Sequence, residues 1–207
     1  MPIITISRLY GSGGSEVAAR VAKSLGWTLL DNEVVDAVAE RLGMTRAEVT
    51  AREERVPSLV ERLADAMALG TPEMMPGVTD TPLPPSEERL VEVTRRVVEE
   101  AVSHGPVVVV GRGAQSMLAA RADAVHIFCY APRAALVARA AKRLGVDTRE
   151  AERVVDDTNR QREQYVKKHW NRAWRAAESY HLCVNTEWLG IDQSAETIVR
   201  LARETFA

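Results

Sequence analysis

With 207 residues and a formal net charge of −2, the chain is sized for one domain with a proper hydrophobic core, and its charge gives no general reason to expect nucleic acid or an anionic membrane as partner. No apolar stretch approaches the roughly 18 residues that cross a bilayer, and the N-terminus has neither the basic start nor the apolar middle of a signal peptide. Cys129 and Cys183 each lie in an apolar run, which suits a reducing compartment better than a disulfide framework, so a soluble, cytoplasmic protein is the expectation and any phosphate chemistry must come from local clusters of Arg and Lys.

Residues 3–7 form a β-branched apolar run that predicts the first strand, and Gly11-Ser12-Gly13-Gly14-Ser15 comes soon after. A helical pattern starts at once, with Val17, Ala18, Val21, Ala22 and Leu25 on one face. Strand, glycine turn and helix aim several backbone N–H groups and a helix N-terminus at one point, and such a point attracts phosphate. The phosphate-loop pattern G-x-x-x-x-G-K-[ST] is nevertheless incomplete. With Gly13 as its second glycine, Arg8 stands at the first, Gly14 replaces the lysine and Ser15 takes the hydroxyl position. Shifting the register places Glu16 where a Mg²⁺-binding hydroxyl is usual, and the lysine is absent either way. Glu16 reads either as a helix-capping residue or as a metal-ligating carboxylate.

Residues 27–31 predict the second strand. It ends in Asp31, which either caps the next helix or faces a ligand at the carboxyl edge of the sheet. A helix near 45–68, with Thr45 and Glu48 as its capping box, precedes a break. Residues 68–86 hold five prolines, which excludes a regular helix or a central strand. An extended tether and a flap over a substrate pocket are both open readings of that loop. A helix from Ser86 leads to residues 106–111, where Val107-Val108-Val109-Val110 does not alternate and so predicts a strand buried on both faces. Arg112 follows in G-R-G. A guanidinium at that edge has little packing purpose and suits phosphate.

Residues 124–130 and 180–185 complete five strands separated by helical patterns, an α/β arrangement. Asp147 and Glu150 form a capping box before the basic stretch 149–175. Beyond Asp157 only Glu163 offsets six Arg and Lys residues before Glu178, and Tyr165, Trp170 and Trp174 are interleaved with them. A solvated helix face, a single-stranded nucleic-acid surface and a lid closing arginines on a phosphate all fit this pattern. The four histidines show no metal-ligand spacing, and His126 and His181, both in strands, read as structural.

Taken together, I-T-I-S-R at 4–8 before G-S-G-G, L-D at 30–31, V-G-R-G at 110–113, R-E-Q-Y at 162–165 and Y-H-L-C-V-N-T at 180–186 resemble the cytidylate-kinase-like family, a branch of the P-loop nucleoside-monophosphate kinases. The resemblance implies a three-layer P-loop kinase fold with a five-stranded parallel sheet in the order 2-3-1-4-5. It also implies an acceptor-binding insertion at 32–104 and a lid at 149–175. The activity implied is phosphoryl transfer from ATP, with Mg²⁺, to a nucleotide such as CMP. On that reading Gly11, Ser12, Gly13, Gly14 and Ser15 cradle the donor phosphates, and Ser15 and Glu16 lie at the metal. Arg8, as a stand-in for the lysine, would offset transition-state charge together with Arg160 and Arg162. Arg112 would hold the acceptor phosphate, Asp31 would orient or deprotonate the acceptor oxygen, and Asn185 and Thr186 would belong to the adenine-side loop. The chain departs from the family pattern at the lysine, at the following threonine, and at Val110, where an acidic residue is expected. Two further readings stay open: a kinase of a sugar, antibiotic or other metabolite, and a non-catalytic nucleotide-binding or structural protein. A homo-oligomer is also left open.

Overall fold

The computed structural model describes residues 1–31 and 87–207. The helix expected near 45–68, its Thr45–Glu48 capping box, the proline-rich loop and most of the insertion at 32–104 lie outside the described residues. In chain order the described elements are β1 (Ile3–Arg8), α1 (Gly14–Leu25), β2 (Thr28–Leu30), α2 (Glu87–His104), β3 (Val107–Val110), α3 (Ala114–Met117), β4 (Ala124–Tyr130), α4 (Arg133–Leu144), α5 (Thr148–Trp170), a 3₁₀ turn (Ala177–Ser179), β5 (Leu182–Asn185) and α6 (Gly190–Thr205).

The five strands make one parallel sheet in the order β2-β3-β1-β4-β5. Its register sets Ile3 beside Val107 on one side and Ala124 on the other. Strand β1 is thereby central, and its last residue, Arg8, emerges level with Cys129 at the carboxyl edge. Val107 to Val110 are fully buried, as a non-alternating valine run requires when helices cover both faces. On one face Val97, Val98 and Val102 of α2 pack on Ile3, Val107 and Val109. On the other, Val17 and Val21 of α1 and Ile198 of α6 pack on Ile4, Ile6, Val108 and Val110. Each such aliphatic side chain contributes roughly 1.5–3 kcal/mol on burial, and this double layer fixes the strand ends that carry the site.

The capping boxes divide. Glu150 N–H donates to Asp147 Oδ1 at 2.8 Å and starts α5 as expected. Helix α1 instead begins from Gly13 in the left-handed conformation with no side-chain cap, because glycine offers none. Glu16 pairs with Arg20 one turn on, at 2.8 Å. Among the described residues no helix is long and apolar enough to cross a membrane. Both cysteines are unbridged. Cys129 is buried and its thiol is pushed up to about 12 by that burial, whereas Cys183 is exposed because β5 is an edge strand.

Candidate active site

At the carboxyl ends of β1 and β3 the chain leaves the sheet in two tight turns, the place where open α/β sheets bind ligands. The turn after β3 runs through Gly111, Arg112 and Gly113 with φ of 71°, 57° and 65°. Three successive left-handed residues are affordable only because two are glycine, and Arg112 carries a cost of about 1–2 kcal/mol there. Gly111 has a second reason to be glycine: a Cβ at that position would collide with Nη1 of Arg8. Gly113 likewise leaves room for the indole of Trp170.

Beside the second turn, at the end of β1, lies a cavity of about 60 Å³ with Ser7, Arg8, Arg112, Arg162, Tyr165 and Trp174 among its walls. Arg8 crosses from β1 over Gly111, and its Nη2 stands 3.5 Å from Asp31 Oδ1 at the end of β2. Arg162 reaches in from α5 and donates through Nη1 to the Arg8 carbonyl at 3.0 Å. Its helix is anchored by Tyr165 and Val166, which are buried with Phe128, Trp174 and Tyr180 in an aromatic cluster. The Tyr180 hydroxyl closes that cluster by donating to the Trp174 carbonyl at 2.6 Å. The segment expected as a lid comprises most of a 23-residue helix, followed by the buried Trp174. Among the described residues, Arg8, Arg112 and Arg162 line this cavity and Asp31 lies beside Arg8. Arginines gathered at a strand-end cavity suit an anionic ligand, which a guanidinium can bind in bidentate fashion.

Several expected site residues lie elsewhere. Arg160 is exposed and pairs with Asp157 at 2.5 Å, away from the cavity. Arg8, the expected stand-in for the missing lysine, touches both turns. Its Cβ lies against Gly14, but its guanidinium points to Gly111 and Asp31, toward the arginine pocket. Glu16 also pairs with Arg20 on the exposed side of α1.

The glycine loop is built differently. Ser12 is fully buried, and its carbonyl accepts from Thr186 Oγ1 at 2.6 Å and from Arg139 Nη1 at 3.3 Å. Thr186 Oγ1 also lies 3.2 Å from the Tyr130 carbonyl, while Arg139 reaches Glu187 at 2.5 Å. Asn185 Oδ1 accepts the N–H groups of Glu187 and Trp188 at 3.1 and 3.3 Å and shapes that corner. Gly11, at φ 81°, faces the Leu136 carbonyl so closely that a Cβ would stand 2.5 Å from its oxygen. The Ser12 hydroxyl, buried in this loop, has no hydrogen-bond partner among the described residues. With the N-terminus of α1, that hydroxyl fits donor phosphates of ATP. Around Ser15 and Glu16 the carboxylate is already engaged by Arg20, and no group of three metal-ligating residues forms among the described residues. Mg²⁺ would therefore be carried chiefly by the nucleotide's own phosphates, with the exposed Ser15 beside it.

Three contributors were not singled out from the sequence: Arg139, Tyr10 and Asn159. Arg143 Nη2 donates to the Tyr10 hydroxyl at 2.6 Å, and Asn159 Oδ1 accepts the Tyr10 N–H at 2.8 Å. The one signal for Asn159 is its type, since asparagine is a weak helix former. His126, under the same edge, has Nδ1 2.7 Å from Thr5 Oγ1 and stacks on His181 at 5.1 Å. Burial pushes it down to about 4, with help from His181 and Arg172.

The family model described as cytidylate kinase-like matches residues 3–188. No curated protein matches the sequence. Among solved structures, an uncharacterised protein from Eubacterium ventriosum superposes with a TM-score of 0.71 at 18% identity, covering 98% of this chain and 99% of its own. The shikimate kinase of Bacteroides thetaiotaomicron gives 0.54 at 14% identity, covering 98% of each chain. That of Acinetobacter baumannii, solved in complex with shikimate, gives 0.53 at 16%, covering 99% of this chain and 94% of its own. At these identities the structures share the fold. With the family match over nearly the whole chain and the strand order seen above, the chain belongs to the cytidylate kinase-like family and has the α/β fold of P-loop kinases.

Proposed function

We propose that this protein is an ATP-dependent phosphotransferase acting on a small acceptor that carries an anionic group, a nucleoside monophosphate such as CMP in the first instance. The observation that supports it most is the convergence of Arg8, Arg112 and Arg162 on one small cavity beside Asp31. ATP supplies the phosphoryl group when bound. The glycine loop and the Ser12 hydroxyl hold the donor phosphates, and Asn185 and Thr186 form the corner beyond them. Arg112 and Arg162 hold the acceptor's anionic group. Asp31 orients the acceptor oxygen and takes its proton, while Arg8 offsets charge that builds between donor and acceptor. Phosphoryl transfer depends mostly on positioning and electrostatics, so cations on the acceptor side serve a reaction whose donor loop has none of its own. Residues 32–104 serve as the acceptor-binding insertion and 149–175 as the wall that closes the pocket. The enzyme works in the cytoplasm.

The missing lysine favours a second reading, a nucleotide-binding protein without turnover, because removing one such donor costs roughly 3 kcal/mol of barrier. One experiment separates the two. ATP with Mg²⁺ is incubated with each nucleoside monophosphate and with shikimate, and ADP release is followed. A raised Tm with ATP but no ADP release with any acceptor supports the second reading. Absence of any Tm shift with millimolar ATP or ADP counts against both, since binding to the folded state must stabilise it by mass action.

A further inference from the structure

Helix α5 touches the chain just ahead of the glycine loop at two points. Arg162 Nη1 donates to the Arg8 carbonyl at 3.0 Å, and three residues earlier on the same helix face Asn159 Oδ1 accepts the Tyr10 N–H at 2.8 Å. Asn159 is buried, 5% exposed, in the middle of a 23-residue helix. A polar amide there is unfavourable unless a partner compensates it, and the Tyr10 N–H is that partner. The bond in turn satisfies a backbone donor at the point where β1 runs out of the sheet. The guanidinium of Arg162 belongs to the cavity wall as well, so one rigid helix holds both the pocket and the two residues that lead into Gly11.

We infer that Asn159 is a positioning residue that couples the arginine pocket to the glycine loop, so that an anion in the first strengthens nucleotide binding in the second. The coupling rests on the proposed phosphotransfer reading, in which the two sites are acceptor and donor. An anion in the pocket fixes Arg162 and Arg8. Through the Arg8 carbonyl and Tyr10 N–H it fixes the chain leading to the loop, and the nucleotide then pays less ordering entropy. By linkage the nucleotide tightens the anion by the same factor. Asn159 does this without touching either ligand, since it lies outside the cavity wall.

The test measures inorganic phosphate affinity by calorimetry with and without saturating β,γ-imido-ATP. In the full-length protein the analogue should tighten phosphate by about 5- to 10-fold, the low end of common coupling factors. Asn159→Ala should bring that ratio to within about twofold of unity while leaving phosphate affinity alone nearly unchanged. Asn159→Asp, which still accepts the Tyr10 N–H, should restore it. The ratio compares one variant with itself, so a general effect of the added charge cancels. Independent binding in the wild type, competition between phosphate and the analogue, or an unaltered ratio in Asn159→Ala overturns the coupling and leaves the phosphotransfer reading standing. Failure of the wild type to bind the analogue at all overturns both.

Discussion

The glycine loop and the arginine pocket lie at the same edge of the sheet but are held in opposite ways. The loop is fixed by uncharged backbone contacts and a carbonyl clamp: Gly11 against Leu136, Ser12 under Thr186 and Arg139. The pocket is fixed by packing at its base, and among the described residues it gathers Arg8, Arg112 and Arg162 on its walls with Asp31 beside Arg8. Charge that a phosphate loop ordinarily carries on its lysine has no counterpart within Gly11–Ser15 here: Arg139, which touches the loop, is paired with Glu187, and the arginines of the pocket lie across the sheet edge. A site can therefore keep the shape of a phosphate loop while its electrostatics sit across the cleft. Shape and charge should respond separately to mutation.

The largest effects should show that separation. Gly11→Ala brings a Cβ to 2.5 Å from a helix carbonyl in a left-handed residue, where neither partner can move easily. A loss of about 3 kcal/mol is expected, seen as a Tm lower by roughly 6–12 °C for a chain of this size. Arg112→Gly should do the reverse. It removes a guanidinium and a strained backbone together, so Tm should hold or rise slightly while kcat/KM falls by about 10² or more. Arg162→Ala should match that loss in activity. Arg160→Ala, whose side chain is solvent-exposed beside Asp157, should stay within about threefold of wild type. Equal losses at 160 and 162 would erase the distinction between pocket and surface.

The sequence carried the fold more fully than the site, for physical reasons. Buried parallel strands announce themselves by unbroken apolarity, as Val107 to Val110 did, and the glycine run marked the turn at once. Arg112 was legible because an arginine straight after a buried strand has nowhere to go but the edge. Arg8 was legible as a residue of the strand edge where the candidate site lies, but not in its direction. The missing lysine suggested a substitute at the loop, whereas the room that sends its guanidinium the other way comes from Gly111, about a hundred residues away in sequence. Arg139 and Asn159 lie inside ordinary amphipathic helices, and only the tertiary packing shows that they face the loop. Arg160 shows the converse: two residues from Arg162, it is on the opposite side of the helix.

The pocket side should also be the acid-sensitive side. His126 is ordinarily near 6.5 and is held at about 4 in the fold by burial, with His181 and Arg172 adding to it. Above pH 6.5 it is neutral in both states and contributes no pH dependence. As pH falls below 6.5 the unfolded chain takes up a proton that the folded chain refuses, so stability drops until about pH 4 and no further. Urea unfolding should lose about 2 kcal/mol between pH 7 and pH 5 from this group. His126→Gln should flatten that slope even if it lowers stability at pH 7, and an unchanged slope would assign the acid response to other groups.

The smallest effect sharpens the comparison from the loop side. Thr186 is fully buried, and its hydroxyl donates to the Ser12 carbonyl at 2.6 Å with the Tyr130 carbonyl at 3.2 Å. Thr186→Val keeps the shape and removes the donor. Among the described residues the Ser12 carbonyl then keeps the longer bond from Arg139, and a cost of about 1–2 kcal/mol follows from the weakened buried pair. The Tm should fall by roughly 2–8 °C. The clamp holds the glycine loop and nothing in the pocket, so nucleotide affinity should weaken a few-fold while affinity for inorganic phosphate without nucleotide stays as in the wild type. A matching loss of phosphate affinity would mean that the clamp supports the arginines too, and the two regions would then be one site held by one set of bonds.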